Sequence, residues 1–238
     1  MILTLLLLLS CSEPPTIEKG DEYFRNQDYS AAISMYQNNL NGTQQDAESL
    51  WRIARATICL GDMCQRKEQE KHYRNALDRS VAAVKLDSLN SNVQCWYAIS
   101  LGYIAIFEGS KRKVEFCTNI QRALELSINL DPRNDVAFSV YGTFYRALGN
   151  VGWLERNLAN LLLGGLPEGG YAEAETMLLK AIELKPNILR HRYELGLLYF
   201  DWGKENKGRE IFRAALLLPV TLASDHTRIK IMKQKLLP

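Results

Sequence analysis

A chain of 238 residues suits one or two ordinary domains or a single elongated array. Its 47% hydrophobic and 24% charged content is that of a folded protein, and sparse, evenly spread Gly and Pro exclude long disordered linkers. The net charge of +2 lacks the strongly basic face of a nucleic-acid binder, and runs of Ala, Leu, Glu, Lys and Arg argue against an all-β fold.

Residues 1–10 read MILTLLLLLS. This apolar run is far short of the roughly 20 residues a membrane-spanning helix needs; it has about the length of a signal-peptide core. Leu8-Leu9-Ser10-Cys11 resembles the lipobox of bacterial lipoproteins: an aliphatic residue, then a small residue directly before Cys. The resemblance implies cleavage before Cys11, a diacylglycerol on its thiol and an acylated amine. Each methylene buried in the bilayer contributes about 0.8 kcal/mol. On this reading residues 1–10 are a lipoprotein signal peptide, 11–16 a lipidated tether and 17–238 a folded helical-repeat domain. The expected location is the bacterial cell envelope, its outer membrane first. No Lys or Arg precedes the apolar run, where a signal peptide carries positive charge; the alternative is an apolar terminus with an ordinary cysteine.

The remainder is periodic. Gly142 and Gly196 each lie ten residues beyond a proline, Pro132 and Pro186, and each is followed after three residues by a tyrosine, Tyr145 and Tyr199. With Gly at position 8 of a unit of about 34 residues, Gly20, Tyr23, Ala32 and Tyr36 fall at positions 8, 11, 20 and 24. The second unit has Ala54 in its first helix and Ala76, Ser80 and Ala83 in its second, with about ten extra residues inserted near Asp62 to Lys71. The third has Trp96 and Ala98, then a helix through Ile120, Ala123, Leu124 and Ser127 that stops at Pro132. The fourth has Tyr141, Gly142 and Tyr145, then Ala174, Leu178 and Ala181, with about twenty residues more than the minimum. The fifth has Leu195, Gly196 and Tyr199, then Gly208, Phe212 and Ala215, ending near Pro219. Small residues at the repeat positions let paired helices approach, large ones fill the hollows beside them, and Pro ends the second helix. Hairpins apolar on more than one face must stack on neighbours. This is the tetratricopeptide pattern, and the expected fold is an all-α, tetratricopeptide-like solenoid of about five helix pairs with one inserted helix. The tail from Leu222 to Leu237 interleaves Arg228, Lys230, Lys233 and Lys235 with Ile229, Met232 and Leu236. It reads as a capping helix with a wet basic face, a membrane-surface helix being the alternative.

In the fourth unit, Trp153-Leu154-Glu155-Arg156 leads through a leucine-rich stretch to Gly164-Gly165-Leu166-Pro167 and a further helix ending at Pro186. With Trp51-Arg52-Ile53-Ala54-Arg55-Ala56 and Ala215-Leu216-Leu217-Leu218-Pro219, this order resembles the regulator of microtubule dynamics family from about Ala47 to Leu237. The resemblance implies a non-enzymatic helical-repeat protein. Eukaryotic members are associated with microtubules and spindles, and one branch with membrane contact sites and phospholipid binding. In a bacterial envelope, the groove and not its partner is what the resemblance carries over.

No chemistry-bearing constellation stands out. Beyond Cys11, the cysteines are Cys59, Cys64, Cys95 and Cys117, read as buried thiols on helices, with a disulfide left open. His72, His191 and His226 do not pair at helical spacing, so neither metal nor cofactor is expected. Gly164-Gly165 and Gly169-Gly170 lack the Lys-Ser/Thr of a phosphate loop and read as a helix end and a turn; Asn41-Gly42-Thr43 reads as a turn between units. The concave groove is the candidate site, lined by positions 2, 5, 9, 12 and 13 of the first helices. Arg55, Tyr103, Arg146, Arg190, Tyr193 and Phe200 fall there, and Arg and Tyr are types that anchor interfaces and pair with carboxylate or phosphate. The expected function is a lipid-anchored scaffold holding a peptide or protein partner. The alternatives are a phospholipid-binding or lipid-transfer module, with Leu154, Leu158, Leu161, Leu162 and Leu163 walling a pocket or plugging the array, and a cytoskeletal regulator.

Overall fold

The computed structural model describes residues 16–42 and 46–237. The apolar leader, Cys11, the tether through Pro15 and Thr43 lie outside them. Twelve helices and no strands occur among the described residues. Five hairpins form the solenoid: α1 (Ile17–Arg25) with α2 (Tyr29–Gly42), α3 (Ala47–Gly61) with α4 (Arg66–Leu86), α5 (Ser91–Ala105) with α6 (Ser110–Leu130), α7 (Asp135–Gly149) with α9 (Tyr171–Leu184), and α10 (Leu189–Asp201) with α11 (Glu205–Ala215). The inserted α8 (Trp153–Leu162) sits inside the fourth hairpin, and α12 (Asp225–Leu236) closes the chain.

The repeat residues do the packing their spacing implies. A Cβ built on Gly196 would lie 2.2 Å from the Phe212 ring, and one on Gly208 would lie 3.1 Å from the Gly196 carbonyl oxygen. One on Gly142 would lie 2.5 Å from Leu178 Cγ and 3.1 Å from the Ala174 carbonyl. Both seams therefore touch, with a large side chain laid over the glycine of the partner helix. Phe212, Leu178 and Tyr36, the position-24 residues of three hairpins, are fully buried.

Hairpins are linked by capping side chains. Pro132 ends the helical path after α6, and two residues on Asn134 caps α7, its Oδ1 accepting from the Ala137 amide at 3.0 Å. The same carboxamide donates to Ser91 Oγ at 2.9 Å, tying α7 to α5. Asn90 caps α5 in the same way and donates to Glu48 of α3 at 2.7 Å. Asn187 plays no such part: α10 is entered at Ile188 without a side-chain cap.

The structure departs from the sequence reading in several places. The surplus of the second unit is taken up by helix, since α4 starts at Arg66 and runs 21 residues. Cys64 lies in the link after α3, and the four described cysteines are free thiols. Asn41 and Gly42 belong to the end of α2. The twenty extra residues of the fourth unit are α8 and its glycine loop, in which Gly164 and Gly165 hold φ of 85° and 93°, open to Gly at no steric cost. Arg156 fastens this insertion, donating to the carbonyls of Leu148 (2.7 Å) and Pro167 (3.2 Å). Leu154, Leu158 and Leu161 face outward at 62%, 47% and 79% exposure, so they neither wall a pocket nor plug the array. No described helix is long and apolar enough to cross a membrane.

The chain also closes on itself. After α11, residues 219–224 run back to the first hairpin: the Ala223 amide donates to Tyr29 Oη at 3.0 Å, and Leu222 and Ala223 pack against the buried cluster of Tyr29, Ala32, Tyr36, Ile53, Ala56 and Cys59. Asp225, 1% exposed, holds this strap in shape, one carboxylate oxygen accepting from the amides of Thr221 (3.0 Å) and Leu222 (2.9 Å).

Candidate functional site

Stacking places the first helices of all five hairpins on one concave side, and the strap crosses it. Two cavities result. The first, of about 530 Å³, is walled by Phe24 of α1, Trp51, Arg55, Ile58 and Cys59 of α3, Asn92, Trp96, Ile99 and Tyr103 of α5, Asp135 of α7 and Arg190 and His191 of α10; Thr221, Leu222, Ser224 and Arg228 close it. The second, of about 500 Å³, is more apolar, with Ile106, Cys117, Ile120, Val140 and Phe144 among its walls. Ile99, Tyr103, Arg190 and Arg228 belong to both and form their partition.

The six groove residues named from the repeat register divide into three groups. Arg55, Tyr103 and Arg190 line the cavities. Arg55 is committed to the first hairpin: its Nη2 donates to Asp21 at 2.6 Å and to Tyr36 Oη at 3.1 Å, and its guanidinium lies 3.8 Å from the Phe24 ring centroid. Tyr103 donates to Asp62 at 3.2 Å. Arg190 is half-buried, and its side chain makes no hydrogen bond or ion pair among the described residues. Arg146 lines neither cavity; it clamps α7 to α10 through Glu194 (3.1 Å) and Asp201 (3.0 Å). Tyr193 stacks on Phe212, Phe200 packs tilted against the same ring, and both are covered by α12, whose Met232 is fully buried against the same cluster. A terminal repeat has no neighbour to cover its apolar face, so the cap takes those positions.

Other wall residues were readable from the register: with Ala54 at position 8, Trp51, Ile58 and Cys59 occupy positions 5, 12 and 13. Arg228 was not readable. It belongs to the tail, whose basic residues looked wet, yet its side chain is 14% exposed, paired with Asp225 at 2.8 Å and turned toward the cavities.

The electrostatics are uneven. Asp62 accepts from Tyr73 Oη at 2.8 Å and from Tyr103, and burial pushes its carboxyl above the usual range, with the two phenol hydrogen bonds opposing. His191 is 1% exposed; its Nε2 contacts Asp135 at 2.9 Å, and burial lowers its pKa. The Cys59 thiol is pushed up to about 12 by burial, which disfavours the nucleophilic thiolate. Among the described residues, no group of three or more His, Cys, Asp or Glu could hold a metal ion. The arrangement can bind: aromatic and aliphatic walls, a carboxamide, hydroxyls and, in Arg190, a guanidinium with no partner among the described residues.

A stack of helical hairpins with a ligand-sized hollow along its first helices defines a tetratricopeptide-like repeat protein. Solved structures of that class bear the fold out: a thermophilic TPR protein from Thermus thermophilus superposes with a TM-score of 0.69 at 19% identity, over 93% of this chain and 97% of that one. MamA of Desulfovibrio magneticus RS-1 is more distant, with a TM-score of 0.51 at 15% identity over 84% of this chain and 91% of its own. Within that class the chain belongs to the family described as Regulator of microtubule dynamics protein 1-3, which matches residues 16–237. It is 28% identical to regulator of microtubule dynamics protein 2 of Rattus norvegicus over 80% of this chain and 47% of the relative. It is 29% identical to protein 3 of Bos taurus over 89% of this chain and 46% of the relative. The chain thus spans about half the length of the curated relatives it matches.

Proposed function

We propose that this chain is a non-enzymatic scaffold that seats a segment of a partner protein in the concave cavity, while lipid on Cys11 holds it on a bacterial envelope membrane. The observation that carries the scaffold reading is the cavity itself: first helices of all five hairpins contribute to it, and Arg190 stands in its wall with no partner among the described residues. The anchor reading rests on the lipobox-like sequence alone. A photo-crosslinking amino acid at Arg25, which is exposed at the cavity mouth, is expected to capture a partner in intact cells, and one at Leu217, 87% exposed, is not. Arg190→Glu should abolish the Arg25 adduct; equal capture from both positions, or an adduct insensitive to Arg190→Glu, counts against the scaffold. Loss of alkyne-palmitate labelling in Cys11→Ser tests the anchor.

A phospholipid in the same hollow is a second reading, favoured by the apolar walls of the second cavity beside Arg190 and Arg228. Native mass spectrometry of detergent-free protein separates the two, since co-purifying phospholipid at one per chain would replace the peptide reading.

A further inference from the structure

We infer that one edge of the solenoid, where the two helices of each hairpin join, lies on an anionic bilayer surface, its exposed apolar side chains entering the headgroup layer and its lysines meeting lipid phosphates. This goes beyond the scaffold reading and needs neither the occupant of the groove nor lipid on Cys11. The first argument is placement. Arg66, at the start of α4, has its guanidinium 5.8 Å from the ring centroid of Phe107 in the link after α5. Asn150, after α7, donates to Asp201 at the end of α10 at 2.9 Å, and the Tyr171 and Trp202 rings lie 5.7 Å apart. The end of α12 joins the same edge: Lys235 Nζ is 4.7 Å from the Phe200 ring centroid, and Arg209 donates to the Leu237 carbonyl at 3.2 Å. Met63, Ile106, the Leu154, Leu158 and Leu161 stripe of α8 and Leu237 all stand exposed along it.

The second argument is charge. Lys67, Lys111, Lys113, Lys204, Lys207 and Lys235 are interleaved with these apolar residues and have no ion-pair partner among the described residues. The carboxylates here are mostly taken: Asp62 by two tyrosines, Glu108 by Arg74, Glu115 by Arg112, Asp201 by Arg146. Glu155 and Glu173 accept from the Gly152 and Gly170 amides. Glu68, Glu168, Glu205 and Glu210 remain exposed and unpaired, and the lysines outnumber them. Helix formation does not favour this arrangement. α6 opens on Lys111, Arg112 and Lys113 with no acidic residue in its first turn, although the helix dipole favours anions there.

The third argument is the contrast with the opposite edge. Leu86, Leu89 and Leu130 are exposed there too, but Asp87 and Asp131 stand beside them. Apolar exposure is thus common to both edges, and only one adds unpaired cations. A protein interface gathers its apolar residues at its centre and is depleted in lysine. Here they are spread from hairpin to hairpin and flanked by lysine, which suits a fluid plane of anionic headgroups.

The test uses the full chain with Cys11→Ser, which keeps lipid off it, and vesicles of equal parts phosphatidylglycerol and phosphatidylcholine or of phosphatidylcholine alone. An environment-sensitive fluorescent amino acid replaces Leu158 or, on the opposite edge, Leu89. The apolar leader is common to every sample, so a difference between the two positions belongs to the edge. The probe at Leu158 is expected to shift to the blue on phosphatidylglycerol vesicles and far less on phosphatidylcholine alone; the probe at Leu89 should shift on neither. Lys111→Gln with Lys207→Gln should raise the lipid needed for half the shift roughly 25-fold, about five-fold per lysine, and Asp87→Asn should leave it unchanged. Circular dichroism melts confirm that the variants fold. Equal shifts at both positions, equal shifts on both vesicles, a response indifferent to the lysines, or a silent probe at Leu158 overturns the docking edge. A blue shift that grows with protein concentration in the absence of vesicles overturns it in favour of a second copy of the chain on the α8 stripe. The groove reading stands or falls separately.

Discussion

At the scale of single residues, the cavity keeps groups that folding alone does not favour. Asp62 is half-buried beside two tyrosine hydroxyls and has no cation in hydrogen-bond contact among the described residues, although Arg190 and Arg228 act on it across the hollow. Its pKa is raised above the unfolded value of 3.8, so the stability it contributes is full below that value and is lost as pH rises through the folded one. At neutral pH the carboxylate is a net cost. Asp62→Asn, which keeps an acceptor for a tyrosine, should therefore raise the urea midpoint at pH 7.5, and the gain should shrink toward pH 4. His191 runs the other way. Burial lowers its pKa from 6.5, so its neutral form is favoured in the fold; stability is full above about 6.5 and falls as pH drops through the depressed value. Between pH 7.5 and 5, the melting temperature of the wild type should fall more steeply than that of His191→Gln, which keeps an N–H for Asp135 and does not titrate.

At the scale of elements, each hairpin is a small residue under a large one. Phe212 is fully buried and its ring lies where a Gly196 Cβ would go. Gly196→Ala should cost about 1–3 kcal/mol through overpacking, and Phe212→Ala about 3–5 kcal/mol through the cavity it leaves. Urea titration measures both. The pair was legible because the 12-residue step from Gly196 to Gly208 fixes which helix faces which. The long α4 and α6, 21 residues each, were less legible: extra residues near a helix start can extend the helix or loop out, and periodicity serves both. The orientation of α8 was also hidden. Its leucines recur at helical spacing, which guarantees an apolar stripe but does not decide whether anything covers it.

At the scale of the whole molecule, the strap turns an open solenoid into one whose ends touch. The contact between Ala223 and Tyr29 joins residues 194 apart. Tyr29→Phe removes the acceptor for the Ala223 amide and should cost about 0.5–1.5 kcal/mol. Hydrogen exchange at Ala223 and Leu222 should accelerate in that variant while the seams of the hairpins stay protected. An unchanged exchange rate would mean that Asp225 alone holds the strap in place.

The sequence by itself determined the hairpins, their order, the inserted helix and the side on which a groove had to lie, because these follow from local spacing of small, large and helix-ending residues. It also placed Arg55, Tyr103 and Arg190 on the first helices where the cavities are. Only the tertiary structure decided which of the six named residues face the hollow. Arg146 was claimed by Glu194 and Asp201, and Tyr193 and Phe200 by the cap. It also decided that Arg228 from the tail completes the wall. The physical reason is that register assigns a residue to a face of its own helix, whereas its solvent, partner and charge are set by whatever distant segment folds onto that face.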